Sequence, residues 1–246
     1  MKPFNLPSIA MLVSLAAVAL PSAASAATLN IGFTKLTGIT GGSPAGTAVY
    51  RADLSGLGFD LNSLLIQDNS SGLGGSPGAF SGFDLDGIKL STSFITNAAD
   101  VNAIPGLSVF DFSPAGTLFT PGVQRPPADP ALFGTTGGNL DDAIATLASF
   151  DANSTTGLGA GGFVSLGDNG SIGFNLTSSV ASTSPLYLYI GEVGDNGEVA
   201  AGQITVSDGR IDQPQDVPEP ASWIGLAIAG LAATALRRGS DRQVQS

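Results

Sequence analysis

Apolar and polar positions alternate with a period of two through most of the chain, the spacing of strands that bury one face and wet the other. Leu29, Ile31 and Phe33 alternate with polar or small residues, and Leu186, Leu188 and Ile190 alternate with Tyr187 and Tyr189. Ile204 and Val206 sit between Gln203, Thr205 and Ser207. The same pattern predicts strands over 47–53, 63–67, 88–94 and 108–112. Phe163, Ser165 and Leu166 precede Gly167-Asp168-Asn169-Gly170, and Ile172, Phe174 and Leu176 follow it. Asn-Gly between alternating apolar runs is a strong hairpin signal, because both residues accept positive φ. The tetrapeptide recurs at Gly194-Asp195-Asn196-Gly197, so two hairpin turns are expected. Helix is scarce. Only 140–150 has helical spacing, through Leu140, Ile144 and Leu147, with Asn139 as candidate N-cap and Asp141 and Asp142 in the first turn. The end of that segment, 145–150, reads equally well as a strand. The Pro-rich stretch 114–130 is expected to form a surface loop. Short strands separated by Gly, Ser, Asn and Pro clusters predict an all-β protein, a single antiparallel β-sandwich of jelly-roll-like form over residues 27–210.

The alternation stops at both ends, where the chain becomes continuously apolar. Lys2 is followed by an almost unbroken apolar run over 6–20 and then by Pro21-Ser22-Ala23-Ala24-Ser25-Ala26-Ala27. A positive start, an apolar run of this length and an Ala-x-Ala site form the pattern of a secretory signal peptide, here residues 1–26. Ala24 and Ala26 supply the small side chains of the cleavage site, so cleavage is expected after Ala26. The run is short for a permanent span of ~20 residues.

At the far end a linker over 211–216, rich in Asp, Gln and Pro, leads into 217–246. There Pro218-Glu219-Pro220 precedes an apolar stretch, 221–236, which contains Trp223 and is closed by Arg237 and Arg238. As a helix, 221–236 would cover roughly 24 Å, slightly less than a ~30 Å hydrocarbon core. Trp223 at one boundary and the arginines at the other suit the two interfaces. Thr234 is the only polar side chain between Ile224 and Leu236, so this hydrophobic helix has no polar face for a soluble core. A transmembrane helix over 221–236 is expected, with Arg237, Arg238 and Arg242 on the cytoplasmic side.

Pro218-Glu219-Pro220, the Trp-containing apolar helix and the terminal arginines, in that order, resemble the PEP-CTERM sorting signal of exported proteins in Gram-negative bacteria that make extracellular polysaccharide. The resemblance implies an exosortase, a membrane-embedded transpeptidase-like protease, as processing partner. It also implies cleavage near Pro218-Glu219-Pro220 and only a transient stay in the inner membrane. Val49-Tyr50-Arg51-Ala52-Asp53-Leu54, the run 74–90 and Leu188-Tyr189-Ile190-Gly191-Glu192-Val193 are similar to phrases in domains of other PEP-CTERM proteins. That likeness implies an extracellular β domain and adds no residue-level chemistry.

Composition narrows the chemistry further. The 246 residues include no histidine and no cysteine. An imidazole base, a Ser-His-Asp triad, a His-ligated zinc, a thiol nucleophile and a disulfide framework are therefore excluded. Between Ala27 and Asp216 there are 18 acidic residues against 5 basic ones, a net of −13. That balance argues against nucleic acid or an anionic membrane surface as a partner.

The densest polar constellation is Gly82-Phe83-Asp84-Leu85-Asp86-Gly87, preceded by Gly74-Gly75-Ser76-Pro77-Gly78. In an extended segment Asp84 and Asp86 point to one face, which makes them candidate ligands for calcium, with Asp68 or Asn69 and loop carbonyls completing the set. The competing reading is a turn whose aspartates cap backbone N–H groups. No EF-hand pattern is present. Paired carboxylates also serve glycoside hydrolysis, with Asp84 and Asp86 or Glu192 and Glu198 as the pairs to consider. Tyr50, Tyr187 and Tyr189 are the candidate aromatic platforms for a sugar. The leading expectation is an exported, exosortase-sorted protein of the cell surface or exopolysaccharide matrix, with a structural or interaction role and no catalytic residues. A calcium-dependent carbohydrate-binding module is the alternative, and a carboxylate-based glycan hydrolase the third reading.

Overall fold

The computed structural model describes residues 26–41, 46–70, 72–151, 162–196 and 204–211. The expected leader up to Ser25, including Ala24, lies outside the described residues. So do nearly all of the linker and the whole sorting signal, with Pro218, Glu219, Pro220, Trp223, Arg237, Arg238 and the apolar stretch 221–236.

Among the described residues, twelve strands run as β1 (Thr28–Ile31), β2 (Thr34–Lys35), β3 (Thr47–Asp53), β4 (Leu61–Gln67), β5 (Asp84–Ser91), β6 (Thr117–Thr120), β7 (Thr135–Thr136), β8 (Asn139–Leu140), β9 (Val164–Ser165), β10 (Ser171–Val180), β11 (Tyr187–Val193) and β12 (Ile204–Ser207). Every pairing between them is antiparallel. One five-stranded sheet has the order β1-β12-β4-β10-β6, a second has β2-β3-β11-β5-β9, and β7-β8 form a small ribbon. A single cluster of buried side chains draws on both large sheets. Leu61, Leu64, Ile66, Ile172, Phe174, Ile204 and Val206 come from the first, and Leu85, Ile88, Leu90, Leu188 and Ile190 from the second. The alternation seen in 186–190 and 204–206 is thus the core-facing parity of β11 and β12.

Parity alone does not describe β11, because its other face is covered as well. Tyr189 is fully buried in a second cluster with Leu36, Val49, Ile95, Ala98, Val101 and Phe150. Its hydroxyl donates to the Ser93 carbonyl at 2.7 Å and accepts from the Ile95 N–H at 3.1 Å, so the phenol is satisfied in the interior.

Several sequence expectations are corrected. Neither Gly-Asp-Asn-Gly joins two paired strands, and Gly197 lies outside the described residues. β9 pairs with β5 in the second sheet while β10 belongs to the first, and β11 and β12 are divided in the same way. Both connections therefore carry the chain from one sheet to the other. Residues 108–112 form no strand; Phe110 makes only an isolated bridge to Leu176. Phe110 and Phe112 stack at 5.8 Å and meet Phe174 edge-on, so side-chain packing fixes this stretch in place of a ladder. The Pro-rich stretch is not all loop, since β6 within it edges the first sheet along β10. The helix shrinks to α1 (Asp142–Ala145), capped by Asp141 and closed by Thr146 in the left-handed region at φ 46°. Asn139 belongs to β8. Among the described residues no helix is long and apolar enough to cross a membrane.

Candidate functional site

β5 is interior to the second sheet, between β11 and β9, and two of its first three residues, Asp84 and Asp86, are both polar and buried. Asp84 lies opposite Ser165 of β9 and accepts that hydroxyl. Asp86, fully buried, accepts the hydroxyl of Thr47 on β3, two strands away on the other side. Gly191 of β11 makes the second contact feasible. A Cβ at that position would lie 2.7 Å from Thr47 Cγ2, 2.9 Å from Phe150 Cδ1 and 3.2 Å from Asp86 Cβ. Glycine here leaves the space through which the carboxylate reaches its hydroxyl. The two aspartates expected to meet one ion thus take hydroxyl partners on opposite sides of β5.

Glu192, also fully buried, sits on β11 opposite Leu85 and Ala48. Burial first, and the nearby Glu192 carboxylate second, push the Tyr50 phenol up from its ordinary value. Glu198, the other member of the suggested glutamate pair, lies outside the described residues.

Asp68, the residue suggested with Asn69 as an alternative to complete the set, is a buried tie between three segments. One carboxylate oxygen accepts from the Phe83 N–H at 2.9 Å, from the Ser70 N–H at 3.3 Å and from the Ser70 hydroxyl. The other accepts from the Asn169 N–H at 2.8 Å. The turn at 167–170 is held from further directions by Val123 N–H to the Asp168 carbonyl, Asp168 N–H to the Val123 carbonyl and Gly167 N–H to the Ser81 carbonyl. Arg125 Nε lies 3.3 Å from Asp168 Oδ1 over the same turn. Sequence reading missed this junction. Its signal was the Asp68-x-Ser70 spacing of a side chain that bonds the backbone two residues on.

A groove of about 570 Å³ opens elsewhere, between 110–114 and the β7-β8-α1 region. Phe110, Phe112, Asp111, Asp141 and Asp142 are among its lining residues. Asp111 accepts from the Ser113 N–H, and the Ser113 side chain and backbone hold its carboxyl below the ordinary value. Burial pushes the Asp142 carboxyl up, opposed by its bond from the Leu147 N–H. Asp141 is engaged by the Ala143 N–H and the Thr136 hydroxyl. Among the described residues, no group of three or more acidic side chains is placed to hold a metal ion.

Of the candidate sugar platforms, Tyr189 is withdrawn by burial, which corrects the sequence reading. Tyr187 packs edge-on against Phe94 at 5.4 Å, and Arg51 lies 3.9 Å over the Phe94 ring. Comparison with protein-family profiles, with curated proteins and with solved structures gives no match.

Proposed function

We propose that this is an exported protein, sorted by an exosortase-type protease and retained at the cell surface or in an exopolysaccharide matrix, where it has a structural or interaction role. One observation carries the reading: an apolar leader with an Ala-x-Ala site at one end, and Pro218-Glu219-Pro220, apolar stretch and Arg237-Arg238 at the other. The described body supports it. The Ala27 N–H donates to the Asp208 carboxylate, and Ile211 exchanges backbone bonds with the Asn175 side chain, so the segments leading to both processed ends lie along the first sheet. Seven residue steps separate Ile211 from Pro218, a reach of at most about 25 Å. Processing near Pro218 would therefore find the body close to the bilayer. A domain of net charge −13 is repelled there by anionic lipid, which favours its departure once the tether is cut.

In this reading the two five-stranded sheets are the layers of a jelly-roll-like β-sandwich, since one cluster of buried side chains is shared between them. A non-catalytic role is supported by how the acidic groups are engaged, with Asp68 committing both oxygens to backbone N–H groups and Asp84 and Asp86 accepting hydroxyls. The intact mass of the protein recovered from outside the cell tests the proposal. It should begin at Ala27 and end near Pro218-Glu219-Pro220. Recovery from the cytosol with both ends retained overturns it. A thermal midpoint that rises with millimolar calcium would favour the calcium-dependent alternative, and turnover of a polysaccharide would replace the non-catalytic assignment.

A further inference from the structure

Ala27, the first residue after the expected cleavage point, directs its backbone nitrogen to Asp208 Oδ1 at 2.7 Å. The Asp208 N–H donates in return to the Ala27 carbonyl at 3.2 Å. This exchange continues the β1–β12 ladder past its last pair, Thr28 with Ser207. Asp208 is itself held in place. Its carbonyl accepts from Asn62 Nδ2, and the following Gly209 accepts the Ser63 hydroxyl at 2.6 Å and donates to Ser207 Oγ at 3.0 Å. The carboxylate is thus presented from a fastened segment at the point where the mature chain would start.

We propose that Asp208 is the receiving site for the α-ammonium group that leader removal creates on Ala27. The inference rests on the export reading above. Hydrolysis of the Ala26–Ala27 bond by a signal peptidase consumes one water. The departing leader keeps the new carboxylate on Ala26, and the body keeps the new amine on Ala27, which binds a proton near neutral pH. A neutral amide donor is thereby replaced by a positively charged one facing the same carboxylate, which adds the attraction of opposite charges to a bond that the ionised acceptor already assists. β1 is an edge strand exposed at its first three positions, so little burial holds it in place. The new ion pair fastens that edge, and does so only after processing.

The test uses the full chain expressed for export, unsubstituted and as Asp208→Asn and Asp208→Glu. Intact mass first reads the N-terminus. A start other than Ala27 overturns the leader reading and the proposal together. With Ala27 as the start, the native α-amine should react with an acylating reagent about two- to fivefold more slowly than in Asp208→Asn, the size of effect an exposed ion pair gives. Asp208→Glu should restore the slow rate, and high salt or denaturant should abolish the difference. Equal rates in the native unsubstituted and Asp208→Asn proteins overturn the proposal alone, as does a difference that persists after denaturation. Prior acetylation of the amine should also remove the effect of Asp208→Asn on the thermal midpoint; an effect of unchanged size overturns the proposal.

Discussion

The chain spells Gly-Asp-Asn-Gly twice, and the two copies are held by opposite means. At 167–170 the turn is packed backbone against backbone, with Gly82 on one side and Gly122 on another. Its Asn169 takes a positive φ of 63° while its N–H is received by buried Asp68. In the second copy the positive φ falls one residue earlier, on Asp195 at 47°. That turn is tied by an ion pair from Lys35 to Asp195, exposed on both sides, and by Gly194 N–H to the Gly46 carbonyl at 2.8 Å. Both copies fall between strands of different sheets, yet 167–170 sits inside a close-packed junction and 194–196 is exposed at the surface. Identical letters set the tendency toward a left-handed residue; what the surroundings exclude decides how much depends on it.

The contrast can be broken most strongly at Gly82. A Cβ there would lie 2.3 Å from the Gly167 carbonyl, at a φ of 73° that L-residues avoid. Gly82→Ala should cost about 3 kcal/mol or more by denaturant unfolding. Gly194→Ala, whose new Cβ would first meet the flexible Asn196 side chain at 3.2 Å, should cost only about 1 kcal/mol. Next in size is Asp68→Ala, which strands the Phe83 and Asn169 N–H groups and should cost about 2–3 kcal/mol. Amide exchange at Phe83 and Asn169 should accelerate with it.

Asn169→Ala should lose about 1 kcal/mol and Asn169→Gly very little, because only the positive φ is at issue. The smallest effect belongs to the surface copy. Lys35→Ala should change stability by less than about 1 kcal/mol, with the difference fading as salt is raised. The hydrogen bond from Lys35 to Asp195, partly offset by burial, holds the lysine above its ordinary value. Its stabilising contribution is therefore complete at neutral pH and is lost only as pH rises past 10.5 and through the raised value. A pH titration of the Lys35→Ala difference reads this directly.

Much of the strand content was legible where one face is apolar and the other polar. The prediction over 47–53 coincides with β3, and those around 204–206 and 172–176 fall within β12 and β10. Period-two spacing says which face a residue occupies, and nothing about which strand lies alongside. That is why both Gly-Asp-Asn-Gly segments read as hairpins from sequence, although the strands beside them belong to different sheets. The same limit applies to Asp84 and Asp86. Equal parity puts two side chains on one side of a strand, but their partners lie along the sheet in opposite directions, at Ser165 and Thr47. β6 was hidden by the prolines around it, although none lies within Thr117–Thr120. Asp141 displaced Asn139 as the helix cap because Asn139 is taken up in the β7-β8 ribbon.

The pairing of β1 with β12 also sets a schedule. Residues 28–31 leave the ribosome early, but their partners at 204–207 follow some 176 residues later, on the order of ten seconds or more at ordinary synthesis rates. Throughout that interval the newborn chain carries an edge with nothing beside it. The first sheet cannot be completed until nearly the whole polypeptide has emerged.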